Sequence, residues 1–321
     1  MIINKKKLLL LSCGTNAAYH LSKVIKEKFS DYISIIGADI NEAYLVPSIH
    51  FTDIFFRVPP TKDNSYYNVI LEICRQQQID YILPSFDMDQ KLFFPENADL
   101  INLSVKSLST PKDSLFFCAD KKTAFKILDE KGFKVPKTFK LEQLIPRGNY
   151  FVKPVDGCAS VGAEIMSSEN ILKFSNIENY IIQELCYGPE ITLECFCYDG
   201  EFSSCARERI SSKAGVCVKS RVFKDIFLEE ISRRFAQIFK LSNFFNLQFM
   251  KNATGETVIT DVNLRMAGGM SMSCAAGWDE ASAIINILLN KSTREVFETL
   301  KLNTAEQYVV RAYTDIITKR I

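Results

Sequence analysis

Residues 244–265 read FFNLQFMKNATGETVITDVNLR, an apolar hairpin interrupted by Gln248, Asp261, Asn263 and Arg265 where a buried strand should carry hydrocarbon. A turn centred on Thr254 and Gly255 sets Gln248 across from Asp261. Side chains alternate along a strand, so Asp261, Asn263 and Arg265 share one face while Val262 and Leu264 enter the opposite layer. Hard oxygen ligands beside a guanidinium suit Mg²⁺ bridged to a polyphosphate, because Mg²⁺ keeps several waters and takes only a few protein oxygens. A solvent-facing hairpin is the plain alternative, and this segment alone does not separate the two.

Three further stretches carry chemistry. In FVKPVDGCASVG, residues 151–162, a strand delivers Lys153 to a loop containing Gly157, Ala159, Ser160 and Gly162. Small residues let backbone N–H groups approach an anion closely. The lysine precedes the glycines and no GKS or GKT follows, so this is not a Walker loop. In residues 180–210, Asp199 and Gly200 form a two-residue turn that pairs Glu190 with Arg209, Thr192 with Arg207 and Glu194 with Cys205. Those six share one face, and Ile191, Leu193, Cys195, Cys197, Phe202 and Ala206 form the oily opposite face. The charged face is either a set of surface salt bridges or a ligand wall. Gln183, Glu184 and Leu185 end the preceding strand, where a strand edge offers hydrogen bonds to a purine with Glu190 about one ribose away.

The acceptor side is less marked. Gly268, Gly269 and Ser271 make a loop whose N–H groups suit a carboxylate. Arg207, Arg209 and Arg221 are candidates for binding an anion, and Ser85 and Asp87 either contact a ligand or cap a turn.

Composition restricts the partners. The 321 residues are 47% hydrophobic and 24% charged, enough for a sizeable core and more than one domain. Lys plus Arg number 39 against 38 Asp plus Glu, so no global field favours nucleic acid or an anionic membrane, and neither is an expected partner. The apolar run in MIINKKKLLLLSCG stops after Leu11 and reads as a first strand rather than a leader. Ten cysteines without a CxxC pair, with only His20 and His50 beside them, argue against zinc. Cys195 and Cys197 read as small buried hydrophobes, and the usage fits a reducing cytoplasm.

The elements that must position these residues alternate first as βαβ units. The pattern predicts strands over 8–12, 33–38 and 81–84 and helices over 16–28 and 65–77, which together imply a parallel sheet. Its strand ends near Cys13 and Gly14, Asp39, and Ser85 to Asp89 should line a crevice. A dinucleotide site fails there, because GTNAAY supplies one glycine where the fingerprint needs three. Thr110 and Pro111 predict a helix start. Asp120 to Thr123 interrupt the pattern before a helix ending at Gly132, and short strands follow. Two hairpins and helices over 225–239 and 280–289 complete the chain.

The order DKKT, FVKP with its small-residue loop, IIQELCYGPEITLE, NLQF and TDVNLR resembles the ATP-grasp superfamily over nearly the whole chain, and within it the branch similar to the carbamoyl phosphate synthase large chain. The resemblance implies a mixed α/β and α+β architecture: an N-terminal parallel α/β domain (1–108), linker helices with a small lid (109–182), and a C-terminal antiparallel-sheet domain (183–321). It implies ATP and Mg²⁺ as cofactors. Lys121, or its neighbour Lys122, and Lys153 would contact phosphates, with Gly157, Ser160 and Gly162 closing over them. Glu184 and Leu185 would bind adenine, and Glu190 ribose. Gln248, Asp261 and Asn263 match metal-ligand positions, and Arg265 the arginine that stabilises the transferring phosphoryl group. Two departures stand out: Asp261 replaces the usual glutamate, and Cys158 and Ala159 replace common glycines. The chemistry implied is carboxylate–amine ligation through an acylphosphate on an amino acid or small carboxylate. A carboxyphosphate-forming enzyme and a non-catalytic ATP-binding regulator stay open, as does a homodimer.

Overall fold

In the computed structural model, which describes residues 5–118, 120–156, 162–213 and 215–318, the four consecutive leucines Leu8 to Leu11 are completely buried. They belong to β1 (Lys6–Leu11), and their alternation divides them between two cores: Leu8 and Leu10 enter one, Leu9 and Leu11 the other. A strand covered on both faces belongs inside a parallel sheet. With β2 (Ile33–Asp39), β3 (Ile54–Arg57), β4 (Tyr81–Pro84) and β5 (Lys106–Ser107) it forms a five-stranded sheet of order β3-β2-β1-β4-β5, parallel throughout. Helices Asn16–Lys28 and Tyr66–Gln77 cover its faces, as the periodicity predicts.

A second sheet is small and antiparallel, with β6 (Thr138–Phe139), β7 (Asn149–Pro154), β8 (Glu164–Ser167) and β9 (Tyr180–Gln183) in the order β6-β9-β7-β8. The third contains β10 (Tyr187–Tyr198), β11 (Glu201–Lys213), β12 (Val216–Phe223), β13 (Asn243–Lys251), β14 (Thr257–Asn263) and β15 (Glu306–Val310). Its order is β14-β13-β10-β11-β12-β15, antiparallel throughout.

One core is shared by the first and third sheets. Leu21 and Ile25 of the first helix join Trp278, Ile284, Phe196 and Phe244 in a single cluster. Helix Glu280–Leu288 lies in that layer and is buried along most of its length. The opposite face of the third sheet is covered by helix Ile226–Ile238 together with residues 112–130. There Phe235 is fully buried, with ring centroids 5.2 Å from Phe117, 5.8 Å from Phe133, 4.8 Å from Phe239 and 5.6 Å from Phe245.

Two local expectations are corrected. Thr110 caps no α-helix: a 3₁₀ turn, Lys112–Cys118, follows it, and the Thr110 hydroxyl is buried without a partner. Asp120, read as part of an interruption, is instead the N-cap of helix Lys121–Glu130, accepting from the backbone N–H of Lys122 at 2.9 Å and Thr123 at 3.2 Å. A polar DKKT run conceals a cap because the capping residue and the first turn are both hydrophilic.

Phe235→Ala removes the hub of the aromatic cluster and should cost roughly 3–5 kcal/mol. The check is the midpoint of urea unfolding followed by far-UV circular dichroism.

Candidate functional site

The polar hairpin owes its geometry to one extra residue. Near the turn the strands pair Lys251 with Thr257 and Phe249 with Ile259, but the next pair is Gln248 with Asp261. Thr260 is therefore a β-bulge. Without it Asp261 and Asn263 would share the face of Leu247, which lies in the apolar cluster with Phe249 and Ile259. With it they turn to the face of Gln248, while Val262 and Leu264 pack into the core. The expected pairing of Gln248 with Asp261 is present. The loop is not the expected two-residue turn, since Asn252 to Glu256 intervene and the bulge restores the register.

The face so formed is continuous. Asn263 Nδ2 donates to Asp261 Oδ2 at 3.3 Å, and Arg265 Nη2 donates to Asn263 Oδ1 at 3.2 Å. Arg265 Nε forms an ion pair with Asp87 Oδ2 of the N-terminal sheet at 3.1 Å. Asn246, which the motif reading left out, accepts from Asn263 at 3.3 Å and donates to the Arg265 carbonyl at 2.9 Å. Its signal was present in NLQ, where positions 246 and 248 have the same parity.

Opposite that face, β7 carries Lys153. The two sides meet in a cleft of about 320 Å³ lined by Lys121, Lys153, Glu184, Glu190, Gln248 and Asp261, among others. Leu185, Asn263 and Asp87 also reach it. Lys153 is 7% exposed, donates to the bulge carbonyl of Thr260 at 2.8 Å, and lies 4.5 Å from the centroid of the Phe125 ring. Burial, offset by nearby Asp261 and reinforced by Lys121, lowers its pKa to about 8. The choice between the two adjacent lysines follows from contacts: Lys121 lines the cleft, whereas the Lys122 ammonium donates to the Glu178 carbonyl.

At the end of β9 the chain leaves sheet pairing. Among the described residues neither the Leu185 N–H nor the Glu184 carbonyl takes part in a backbone hydrogen bond, while the Glu184 carboxylate accepts from Lys137 N at 2.7 Å. An adjacent free donor and acceptor suit the edge of a purine. Gln183, 1% exposed, lines the same wall with its Nε2 unpartnered. Farther along, Glu190 forms a 2.8 Å ion pair with Arg209, whose Nη2 also donates to the Gly215 carbonyl at 3.1 Å. Arg209 thus holds Glu190 rather than lining the cleft itself.

Arg207 departs from its expected role. It is 2% exposed and paired with Glu194 at 2.9 Å, and a Cβ at Gly269 would lie 2.2 Å from its Cζ. The Gly269 backbone therefore closes over the guanidinium and separates it from the cleft. Arg221 is likewise removed, bonded to Glu208 and Glu306. Ser85 donates to the Leu11 carbonyl and is structural. Gly162 has φ +75, a conformation in which a side chain would be strained. Gly157 and Ser160, with Cys158 and Ala159, lie outside the described residues. Among the described residues no cluster of three or more His, Cys, Asp or Glu could hold a metal by itself.

A family model described as "PylC-like, N-terminal domain" matches residues 8–107, and one described as "ATP-grasp in the biosynthetic pathway with Ter operon" matches residues 176–310. Residues 176–310 thus match an ATP-grasp family. Solved structures of carboxylases and a synthetase superpose over almost the whole length of the chain. The biotin carboxylase domain of 2-oxoglutarate carboxylase from Hydrogenobacter thermophilus does so with a TM-score of 0.74 at 12% identity, covering 95% of this chain and 74% of that one. N5-carboxyaminoimidazole synthetase from Staphylococcus aureus gives 0.67 at 15% identity over 91% and 80%. Rhizobium etli pyruvate carboxylase gives 0.73 at 14% identity, with 95% of this chain spanning only 31% of the carboxylase. At such identities the likeness is one of fold. No curated protein sequence matches the chain. Among the described residues no helix is long and apolar enough to cross a membrane.

Because Lys153 has a lower pKa folded than its ordinary value of 10.5, the folded state binds fewer protons between about 8 and 10.5, and stability rises with pH across that window. Lys153→Met should therefore be more stable than the parent at pH 7 by on the order of 2 kcal/mol. That advantage should shrink as pH is raised through the same window, as read by urea unfolding at a series of pH values.

Proposed function

We propose that this chain is an ATP- and Mg²⁺-dependent ligase that activates an amino acid or another small carboxylate as an acylphosphate and joins it to an amine, releasing ADP. The observation that carries the reading is the convergence of Gln248, Asp261 and Asn263 on one wall of a cleft whose other wall holds Lys153, with Arg265 bonded to Asn263 and to the cleft residue Asp87. The ATP-grasp fold and the structural likeness to carboxylases and synthetases support it.

On this reading the adenine edge meets the Leu185 N–H and the Glu184 carbonyl, and the ribose hydroxyls meet Glu190, fixed in place by Arg209. Lys121 and Lys153 face the phosphates. The donor set of Asp261, Asn263 and Gln248 is all oxygen with a single carboxylate, which fits an ion that completes its shell with phosphate and water. Mg²⁺ held there would neutralise charge on the terminal phosphates. Arg265, tied to Asn263 and Asp87, is placed to stabilise charge on the moving phosphoryl group. The four-stranded sheet acts as a lid that keeps water from the acylphosphate. The soluble, cytoplasmic setting read from the sequence belongs to the same proposal.

A second reading, with bicarbonate as the activated acid, is favoured by the Hydrogenobacter thermophilus neighbour, solved with MgADP and bicarbonate. ADP release that needs bicarbonate but no other carboxylate would select it.

The primary test is a coupled assay for ADP across a panel of amino acids and amines; tight ATP binding without substrate-stimulated release would defeat the ligase reading. Arg265→Ala should leave ATP affinity within several-fold and lower turnover by at least ~10²-fold, the scale of losing a charge-stabilising group. Asp261→Asn should raise the Mg²⁺ concentration needed for half-maximal turnover, since an anionic ligand is lost; an unshifted Mg²⁺ titration removes Asp261 from the metal site.

A further inference from the structure

Five carboxylates line the cleft, and four have an assignment or a position away from the acceptor. Glu184 accepts from Lys137 N, Glu190 pairs with Arg209, Asp261 lies on the metal-ligand face, and Asp156 is exposed beside the lid. The fifth, Asp87, comes from the carboxyl edge of the N-terminal sheet. Its Oδ2 accepts from Arg265 Nε, and its Oδ1 makes no hydrogen bond among the described residues.

The segment carrying Asp87 is fastened from below. Asp89, fully buried, accepts from the Tyr66 hydroxyl at 2.6 Å and the Ser12 hydroxyl at 2.7 Å. Gln90 Nε2 donates to the Pro84 carbonyl at 2.9 Å, and Ser85 donates to the Leu11 carbonyl. A carboxylate on so stiff a support, on a residue that lines the cleft, with one oxygen engaged by Arg265 and the other without a hydrogen bond among the described residues, has the chemistry of an ammonium site.

Resting on the ligase reading, we propose that Asp87 is the acceptor-side catalytic carboxylate: it binds the nucleophile as an ammonium ion beside Arg265 and takes its first proton, so the second substrate is a primary amine that is cationic at neutral pH. In the preceding half-reaction the bond between the terminal phosphorus and the ADP oxygen breaks as a carboxylate oxygen of the donor bonds to that phosphorus. The ammonium then gives one proton to Asp87. The freed nitrogen lone pair attacks the acyl carbon, the C–N bond forms, and the C–O bond to phosphate breaks with its electron pair on the leaving oxygen. The second N–H proton leaves with that group as hydrogen phosphate, and Asp87 returns its proton to solvent.

The experiment uses the full chain with ATP and Mg²⁺, and the proteinogenic amino acids, succinate and 2-oxoglutarate as carboxylate donors. Hydroxylamine, uncharged at neutral pH, intercepts an acylphosphate as the hydroxamate without needing an ammonium site. L-Lysine, putrescine and ammonium serve as cationic nucleophiles. Asp87→Asn should lower amine-dependent ADP release at least tenfold more than hydroxylamine-dependent release, with the excess in the KM for the amine. Asp87→Glu, its fold checked by circular dichroism, should recover most of the amine preference. Equal losses with both nucleophiles would make Asp87 only a support for Arg265 and overturn the inference, as would undiminished amine turnover in Asp87→Asn or failure of Asp87→Glu to recover any preference. Hydroxamate from the parent protein with no product from any cationic amine overturns the amine class while leaving carboxylate activation standing. No hydroxamate with any donor overturns the ligase reading itself.

Discussion

Thr260 is one residue more than the β13–β14 ladder can pair, and the polar wall of the cleft depends on it. Strand side chains have a period of two, so a single insertion moves everything beyond it to the other face. Before the bulge the ladder sends Phe249 and Ile259 into the core; after it the same parity would bury Asp261 and Asn263 beside Leu247, where unpaired polar groups cost several kcal/mol each. The bulge exchanges them for Val262 and Leu264. It also turns the Thr260 carbonyl towards Lys153, giving a buried ammonium an acceptor 2.8 Å away. Ligand wall and opposing lysine are thus fixed by one backbone irregularity.

The same period-two rule explains how the N-terminal and C-terminal sheets act as one support. Leu8 and Leu10 reach the cluster that includes Phe196, Phe244 and Trp278, so the first sheet is joined to the third through a continuous apolar layer rather than through a linker alone. Such a layer sets the carboxyl edge of β4 against the end of β14 and makes the Asp87–Arg265 pair, 178 residues apart in sequence, a defined contact. The pair is only partly exposed, at 20% for the arginine and 13% for the aspartate, so it is screened less than a surface pair.

Much of this was legible in the residues themselves. The βαβ alternation of the first hundred residues, the polar parity of Gln248 with Asp261 and Asn263, and the Asp199–Gly200 turn all follow from local chemistry, and the structure shows each. The cap at Asp120 was hidden by its own polar surroundings. Arg207 shows the limit more clearly. Its face was correctly read, but parity says nothing about what covers a face, and the covering backbone at Gly269 arrives 62 residues later in the chain. Asp87 was ambiguous for a related reason, because an aspartate after a strand is a common turn residue until a partner from another sheet is in view.

The contrast between Glu190 and Glu194 shows how one strand can serve both as a wall and as a floor. Both project from the same face of β10 and both pair with an arginine of β11, at 2.8 Å and 2.9 Å. Glu190 retains 30% side-chain exposure and lines the cleft; Glu194, four residues on, retains 1% beneath the loop around Gly269. Desolvation makes a buried ion pair costly unless its charges are fully offset. The floor meets that condition only in part: Arg207 pairs with Glu194, but Arg207 Nη1 and Glu194 Oε2 are buried without hydrogen-bond partners, and burial together with the neighbouring Glu194 and Asp279 charges holds the Glu280 carboxyl well above the usual carboxylate range. The closed floor is out of reach of the cleft, whereas the open end of the same strand lines it through Glu190. The boundary between the two is set by where the glycine loop comes down, which is why only the outer part of this face, at Glu190, is open to the cleft.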